Sequence, residues 1–437
     1  MDDPRNALAA LSAQQKRALL EKLLRERGQA GPAAPTGKYV FPAEYETLRQ
    51  VYEAPSEMSV GDLMFRSFDG VNSAVAQAGG ETLTNFCSYN YIGMSGDPAV
   101  SQAAIDAINT YGTSVSASRL VSGERPIHRE LEQGLAEWVG AEDAVVFVGG
   151  FTSNVDTIGH LFGKDDLIVY DSLIHASVQE GAKLSGALTV PFPHNNPDAL
   201  DNILQRRRKE ARQTLIVVEG IYSMDGDIAD LPRLLDIKKR HNALLMVDEA
   251  HSIGVLGRSG RGIGEHFGTP GGSVDLWMGT LSKSFASCGG YIAGARDVIT
   301  YLRRTAPGFV YSVGMTPANA GAALGALRTL REQPERVALL RERTRQFHML
   351  AQERGLDIGS AHPDSAVMPV ITGDGLLAVR LSRALLGEGI LALPIGFPAV
   401  PENKARLRFF ISSTHTEDQI RRTVDATARH LAQLTRS

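Results

Sequence analysis

Short apolar runs recur through the middle of this chain with helical patterns between them, and that rhythm leaves few folds open. Ala144–Val148, Leu167–Tyr170, Leu215–Val218, Leu244–Val247, Leu276–Met278 and Tyr291–Ala293 are near-continuously apolar. A strand that is apolar on both faces has to be covered on both. The intervening segments, such as Leu131–Val139 and Leu231–Arg240, place apolar residues at helical spacing. Strand and helix in alternation predict an α/β fold, with a mostly parallel central sheet and helices on both faces.

The pattern changes toward the C-terminus. After Pro317 a helical pattern runs to about Arg354 with an interruption at Pro334. Strands near Val367–Ile371 and Arg406–Ile411 and helices at Ala378–Gly387 and Glu417–Leu434 then predict a smaller α+β domain. At the other end, Leu8, Leu11, Leu19, Leu20, Leu23 and Leu24 predict one amphipathic helix over 8–27, closed by Gly28. A Gly/Pro/Ala stretch from Gln29 to Thr36 reads as a linker. Such a helix either packs on its own protein or docks onto a partner module. The expected division is 1–36 for helix and linker, 37–84 for an N-terminal segment, 85–315 for the large domain and 316–437 for the small one.

Charge and cysteine content narrow the function classes. Lys+Arg 45 against Asp+Glu 49 gives a net charge of −4, which offers no basic field to nucleic acid or an anionic membrane. Two cysteines, Cys87 and Cys288, build no disulfide framework and point to a reducing compartment. The acidic start, Met1-Asp2-Asp3-Pro4, lacks the apolar stretch of a signal peptide, and no uncharged run approaches the roughly 20 residues that span a bilayer. A cytoplasmic enzyme is the expectation.

Four clusters could carry chemistry, and each follows a predicted strand, where open α/β sheets bind ligands. Asp248 and His251 lie in Val247-Asp248-Glu249-Ala250-His251-Ser252. Lys283 follows Gly279-Thr280-Leu281-Ser282, where partial desolvation frees an amine for Schiff-base chemistry. Gly149-Gly150-Phe151-Thr152-Ser153-Asn154 offers backbone N–H groups at a helix start, an anion site. His175 sits in Asp171-Ser172-Leu173-Ile174-His175-Ala176-Ser177. Taken singly each has a plainer reading: a turn cap, a solvated lysine, a tight turn, a packed histidine. Together they suit a planar cationic heterocycle bearing a phosphate and an aldehyde, which is pyridoxal phosphate. No further His or Cys lies at metal spacing, so no metal is expected.

Competing motifs are thin. Asp-Glu-Ala-His is also a helicase signature, but the phosphate loop it needs is missing: Gly37-Lys38 is followed by Tyr39 and Gly163-Lys164 by Asp165. Gly373-Asp374-Gly375-Leu376-Leu377-Ala378 fits a loose dinucleotide pattern without the later acidic residue, and reads as a turn. The basic run Arg206-Arg207-Arg208-Lys209 reads as a solvated helix face, with a seat for coenzyme A phosphates or an acidic carrier protein as the alternative.

From about residue 85 to 430 the chain resembles the α-oxoamine synthases. The resemblance rests on Asn90-Tyr91-Ile92-Gly93, Ser118-Arg119-Leu120-Val121-Ser122-Gly123 with His128, Asp171 to Ser177, Glu219-Gly220-Ile221-Tyr222-Ser223-Met224-Asp225-Gly226, Val247 to Ser252, Thr280 to Lys283, and Arg406-Leu407-Arg408. It implies a fold-type I pyridoxal-phosphate-dependent transferase in which Lys283 condenses with the cofactor aldehyde and serves as general base. Asp248 would pair with the ring nitrogen, His175 would stack on the ring and His251 would bond its phenolic oxygen. Gly150, Phe151 and Thr280 would lie beside the phosphate, with Ser223 also on the cofactor side. Ser312 matches a residue that reaches the phosphate from the partner subunit, so a homodimer is implied. Arg408 matches the arginine that grips an amino acid's carboxylate, with Arg406 as fallback, and Asn90 and Ser118 fall on the substrate side. Glycine-using members resemble one another in having threonine where this chain has Ser118, which favours alanine or serine. Gly149 departs from the serine that many members carry there.

The implied reaction joins an amino acid to an acyl thioester and releases CO2, giving an α-amino ketone. The N-terminal helix and linker resemble inter-module segments, which favours an acyl carrier protein over coenzyme A as thioester carrier. An aminotransferase or lyase of the same fold and a non-catalytic docking scaffold are the rivals, with an 8-amino-7-oxononanoate synthase of biotin synthesis as the alternative inside the family. The Ser118–Gly123 and Glu219–Gly226 matches count against the first, and the joint presence of Lys283, Asp248 and His175 against the second.

Overall fold

A computed structural model describes residues 63–436 apart from Pro398, together with Pro42, Tyr45 and Arg49. The expected helix over 8–27 and linker over 29–36 lie outside the described residues. The described residues from Leu63 onward form one compact unit.

The described chain opens with a hairpin, β1 (Val75–Ala78) and β2 (Glu81–Asn85). Gly79 and Gly80 both adopt positive φ, 60° and 83°, as a two-residue turn between twisted strands requires. Helix α1 (Pro98–Tyr111) follows, started by the Asp97 carboxylate, which accepts from the Ala99 and Val100 N–H groups. After α2 (Pro126–Val139), closed by left-handed Gly140, the expected alternation sets in. It runs β3 (Asp143–Phe147), α3 (Gly150–Leu161), β4 (Leu167–Asp171), α4 (Ala176–Ser185), β5 (Leu188–Phe192), α5 (Pro197–Arg207) and β6 (Thr214–Glu219). Helix α6 (Leu231–His241), β7 (Leu244–Asp248), β8 (Leu276–Thr280), β9 (Gly290–Gly294) and α7 (Arg296–Thr305) complete the layer.

These strands form one seven-stranded sheet in the order β3-β9-β8-β7-β6-β4-β5. All run parallel except β9, which is antiparallel to both neighbours, β3 and β8. Alternate side chains enter two separate cores. Val146, Val169, Ile216, Val218, Leu245, Val247 and Trp277 face one, and Val145, Ile168, Leu215, Val217, Met246 and Met278 the other. Both faces are therefore covered, as the unbroken apolar runs require.

Helices α8 (Pro317–Glu332) and α9 (Glu335–Glu353) meet at Pro334, the break expected from sequence. The C-terminal part adds β10 (Val367–Gly373), α10 (Gly375–Leu386), β11 (Ile390–Leu391), β12 (Leu393–Ile395), β13 (Ala405–Phe410) and α11 (Glu417–Leu434). Strands β10, β13 and β12 form an antiparallel sheet, while β11 pairs with β2, so the opening hairpin joins the C-terminal part. Asp374 caps α10 through the Leu377 N–H, so Gly373–Ala378 is a strand-to-helix turn. Among the described residues no helix is long and apolar enough to cross a membrane.

Candidate active site

Because β3, β4, β6, β7 and β8 run the same way, their C-terminal ends open on one edge of the sheet. Onto that edge they deliver Gly150 and Phe151, Asp171 and His175, Glu219 and Ser223, Asp248 and His251, and Thr280 and Lys283. A cavity of roughly 310 Å³ lies there, lined by Gly150, Phe151, His175, Ser223, Asp248, His251, Thr280, Lys283 and Arg408 among others. A cleft of roughly 400 Å³ at the opposite edge has glycines, apolar groups, Glu142 and Asp275. Its carboxylates are already taken, by the Arg296 N–H and by Lys238 with the Leu245 N–H, and it holds no amine or imidazole. The chemistry belongs to the smaller cavity.

Asp248 is 3% exposed and fully oriented. Its Oδ2 accepts from Asn154 Nδ2 at 2.9 Å and its Oδ1 from the Ala250 N–H at 2.9 Å. Asn154 Nδ2 also reaches Ser177 Oγ at 2.9 Å, and Ser177 Oγ lies 2.7 Å from His175 Nδ1. One chain of bonds thus links carboxylate, amide, hydroxyl and imidazole across three strand ends. Sequence reasoning singled out Asp248 and His175 but gave Asn154 and Ser177 no role. Their one signal was membership of the clusters Gly149–Asn154 and Asp171–Ser177.

Lys283 points its Nζ over the Tyr89 ring, 5.6 Å from the centroid. Burial pushes its amine down to about 8; Asp248 and Glu219 oppose that shift and Arg408 reinforces it. Burial pushes the Glu219 carboxyl up to about 8, with Asp248 beside it acting in the same sense. Glu219 Oε2 accepts from the Ser223 N–H at 2.9 Å, while Oε1 has no partner among the described residues. His175 is lowered by burial and by Lys283 and Arg408, against Asp248. His251 is lowered well below its ordinary value by burial and the same two cations, so its imidazole is neutral. Its Nδ1 lies 2.7 Å from the Tyr91 hydroxyl, and Phe410 stacks on its ring at 6.2 Å and 16°.

The two-residue period of β13 puts Arg406 and Arg408 on the same face, and their partners distinguish them. Arg406 turns to the 219–228 loop and is consumed there, donating to Asp225 Oδ1 at 2.8 Å and Met224 O at 2.9 Å. Arg408 donates from Nη1 to Ser223 O at 2.7 Å and lies over Phe410 at 4.6 Å. Its buried Nε is unpartnered among the described residues, and no bond from Nη2 is formed there either. An Nε–Nη2 edge without a partner, on a side chain that lines the cavity, has the fork geometry of a carboxylate receptor.

One end of the cavity is framed by the start of α3 and by Thr280, whose Oγ1 lies 2.9 Å from Ser282 Oγ. A Cβ on Gly150 would stand 2.6 Å from Thr280 Oγ1. Gly150→Ala therefore crowds this end; with the cofactor phosphate seated there, the expected result is weaker cofactor retention with a stability loss of about 1–3 kcal/mol. Equilibrium dialysis against pyridoxal phosphate and a melting curve check it, and unchanged retention contradicts the placement of the phosphate at this helix start.

Three expected site residues do not line this cavity. Asn90 is buried and spent on its own turn, accepting from the Ser95 N–H at 3.0 Å and donating to Ser95 O at 3.2 Å. Ser118 donates to Val310 O at 2.6 Å, and Ser312 to Val313 O at 3.2 Å. Ser118 and Ser312 thus share a surface, on which Leu120, Val121 and Tyr311 are 56%, 81% and 87% exposed. In the basic run, Arg207 pairs with Glu210 and Arg208 caps the carbonyls of Ala211, His241 and Asn242, leaving Arg206 and Lys209 on the surface.

The cavity fits pyridoxal phosphate in its donor set: a fixed buried carboxylate, an amine, a neutral imidazole, and N–H and hydroxyl groups at a helix start. Asn154 Oδ1, Glu219 Oε1 and Arg408 Nε remain unpartnered around it.

Known proteins share this arrangement of fold and sequence. The model for aminotransferase class I and II matches residues 81–426. An 8-amino-7-oxononanoate synthase of Fervidobacterium nodosum is 40% identical over 358 residues, 81% of this chain and 90% of that protein. A serine palmitoyltransferase (SPT) of Sphingobacterium spiritivorum is 37% identical over 369 residues, 84% of this chain and 92% of that protein. An SPT solved with a pyridoxal phosphate internal aldimine superposes with a TM-score of 0.86 at 30% identity, covering 91% of this chain and 100% of its own. On a family model spanning residues 81–426 and on relatives of this closeness, the chain belongs to the aminotransferase class I and II family, among its α-oxoamine synthases.

Proposed function

We propose that this enzyme condenses alanine or serine with an acyl thioester, with loss of CO2, to give an α-amino ketone. It is a pyridoxal-phosphate-dependent acyltransferase. When bound, the cofactor supplies an aldehyde for the amino group and a cationic ring that accepts the electron pair left on Cα. The observation that carries the reading is the placing of the Lys283 amine and the open Nε–Nη2 edge of Arg408 on one cavity beside the fixed Asp248 carboxylate.

Each residue then has a task. Asp248, held from both sides by Asn154 and Ala250, would pair with the ring nitrogen. Neutral His175 would cover the ring. A Tyr91 hydroxyl donating to His251 Nδ1 leaves the proton on Nε2, a donor for the ring's phenolic oxygen. Gly150, Phe151 and Thr280 would hold the phosphate. Arg408 holds the amino acid's carboxylate, and Lys283 takes the Cα proton as general base.

The amine supports a pH prediction. Only its neutral form attacks an aldehyde, and it becomes neutral as pH rises through about 8. Uptake of pyridoxal phosphate by the apoenzyme should therefore accelerate with pH and level off above that value. Stopped-flow absorbance measures it; a rate that falls over this range contradicts the assignment of Lys283.

Ser118 and Ser312 act from a second copy. Their shared surface exposes Leu120, Val121 and Tyr311, apolar area that association would cover. Serine at 118, smaller than threonine, leaves room for a substrate side chain, hence alanine or serine over glycine. The acyl group arrives on a carrier protein ahead of coenzyme A, a reading supported by the sequence pattern of residues 1–36. Product analysis with each amino acid and each thioester, on the full chain and on a form lacking residues 1–36, tests the proposal. The expected products are CO2 and an α-amino ketone, with carrier-bound turnover reduced in the shortened form. Glycine preferred over both amino acids overturns the Ser118 argument, and unchanged carrier turnover removes the docking argument.

A further inference from the structure

Behind the cavity wall lies an ionic bridge that the reaction as described does not use. His194, in the loop between β5 and α5, stands between two carboxylates contributed by different strand ends. Its Nδ1 bonds Asp171 Oδ1 at 3.0 Å. Its Nε2 lies 3.2 Å from Asp227 Oδ2, within ion-pair distance though off the hydrogen-bond line. Asn195, at φ 46°, reinforces both sides, giving its N–H to Asp171 Oδ2 at 2.7 Å and its Nδ2 to Asp227 Oδ2 at 2.8 Å.

Each aspartate also ties into one loop of the cavity, Asp171 through its carboxylate and Asp227 through its backbone carbonyl. Asp171 Oδ1 accepts from the Leu173 N–H at 2.8 Å and so shapes the turn that ends at His175. The Asp227 carbonyl accepts from the Tyr222 N–H at 3.0 Å, fixing the turn that carries Ser223, whose carbonyl in turn receives Arg408. Asp171 is 0% exposed and Asp227 6% exposed. Two buried carboxylates facing one imidazole need a cation between them; a neutral ring would turn a lone pair to one of them.

We propose that His194, as an imidazolium shared by Asp171 and Asp227, is a positioning residue that keeps the His175 loop in register with the loop carrying Ser223 and its bond to Arg408. This rests on the reading of the cavity as the cofactor and amino-acid site. The charged and titratable groups facing the ring are Asp171 from β4, and Asp227 and the Tyr222 phenol from the loop after β6, with Tyr222 edge-on at 4.5 Å. Burial alone lowers the imidazole, but the two carboxylates outweigh it and hold the ring up at about 10. A pKa raised above the ordinary 6.5 of an unfolded histidine means the charged bridge is intact throughout neutral pH and is released as pH rises through about 10.

The test uses nitrogen NMR of the histidine-labelled holoenzyme, with His194→Asn to assign the signal. Both His194 ring nitrogens should stay protonated from pH 6 to about 9. A singly protonated ring at pH 7.5 overturns the proposal, and this arm needs no altered protein to fold. His194→Asn keeps an amide donor without the charge. It should retain bound cofactor while its visible circular dichroism changes and kcat falls at least about tenfold, the scale of a lost positioning contact. Wild-type kcat and dichroism in that variant overturn it too. A protein that stays colourless with pyridoxal phosphate defeats the functional reading instead, and the NMR of unaltered protein still decides the bridge.

Discussion

Lys283→Ala should lower turnover by at least about a thousandfold, the upper range of what one positioned proton-transfer group supplies. Among the cavity's lining residues no other primary amine stands ready to replace it: the remaining basic groups are Arg408 and two imidazoles that burial and neighbouring cations keep largely neutral. Asp248, Asn154 and the start of α3 remain, so pyridoxal phosphate should still bind without its covalent anchor. A soluble primary amine should then restore a measurable fraction of the rate, because it supplies the missing base in a cavity otherwise intact. Steady-state kinetics with and without added amine checks this. Turnover within tenfold of the unaltered enzyme would place the chemistry elsewhere.

Asp248→Asn is the second large effect. The substitution keeps shape and volume, but both carboxylate oxygens already accept from donors, Asn154 Nδ2 and the Ala250 N–H. An amide NH2 can occupy neither place without setting donor against donor, and the ring nitrogen loses its anionic partner. Breaking one side of a buried charge pair costs about 3–5 kcal/mol, so kcat should fall by roughly two to four orders of magnitude. The absorption of bound cofactor should shift as well, since the ring loses the charge that favours its protonated form. A melting curve guards against simple unfolding. A folded variant with a rate loss below tenfold contradicts the role given to Asp248.

What the chain shows in one dimension is what depends on one strand at a time. Each buried parallel strand is an apolar run, and the chemical residues follow these runs directly, so both were legible together. Strand β5 was not, because Leu188-Thr189-Val190-Pro191-Phe192 is a half-exposed edge strand interrupted by a proline, which only an edge tolerates. The β1–β2 hairpin was missed although Gly79-Gly80 signals a turn. Asn154 and Ser177 became visible only when the C-terminal ends of β3, β4 and β7 met on one edge of the sheet, since their partners follow other strands. Sequence offered both arginines of β13 with Arg408 preferred; Arg406 is paired with Asp225, while Arg408 keeps an unpartnered Nε. Ser118, Ser312 and Asn90 are legible as motif members, yet a single chain keeps all three off the cavity wall.

The visible absorption spectrum of the purified protein during titration with alanine, serine and glycine tests the central claim most directly. A band from cofactor bound at Lys283 should shift on addition of alanine or serine at lower concentration than glycine requires. A protein that remains colourless after pyridoxal phosphate is added would contradict it.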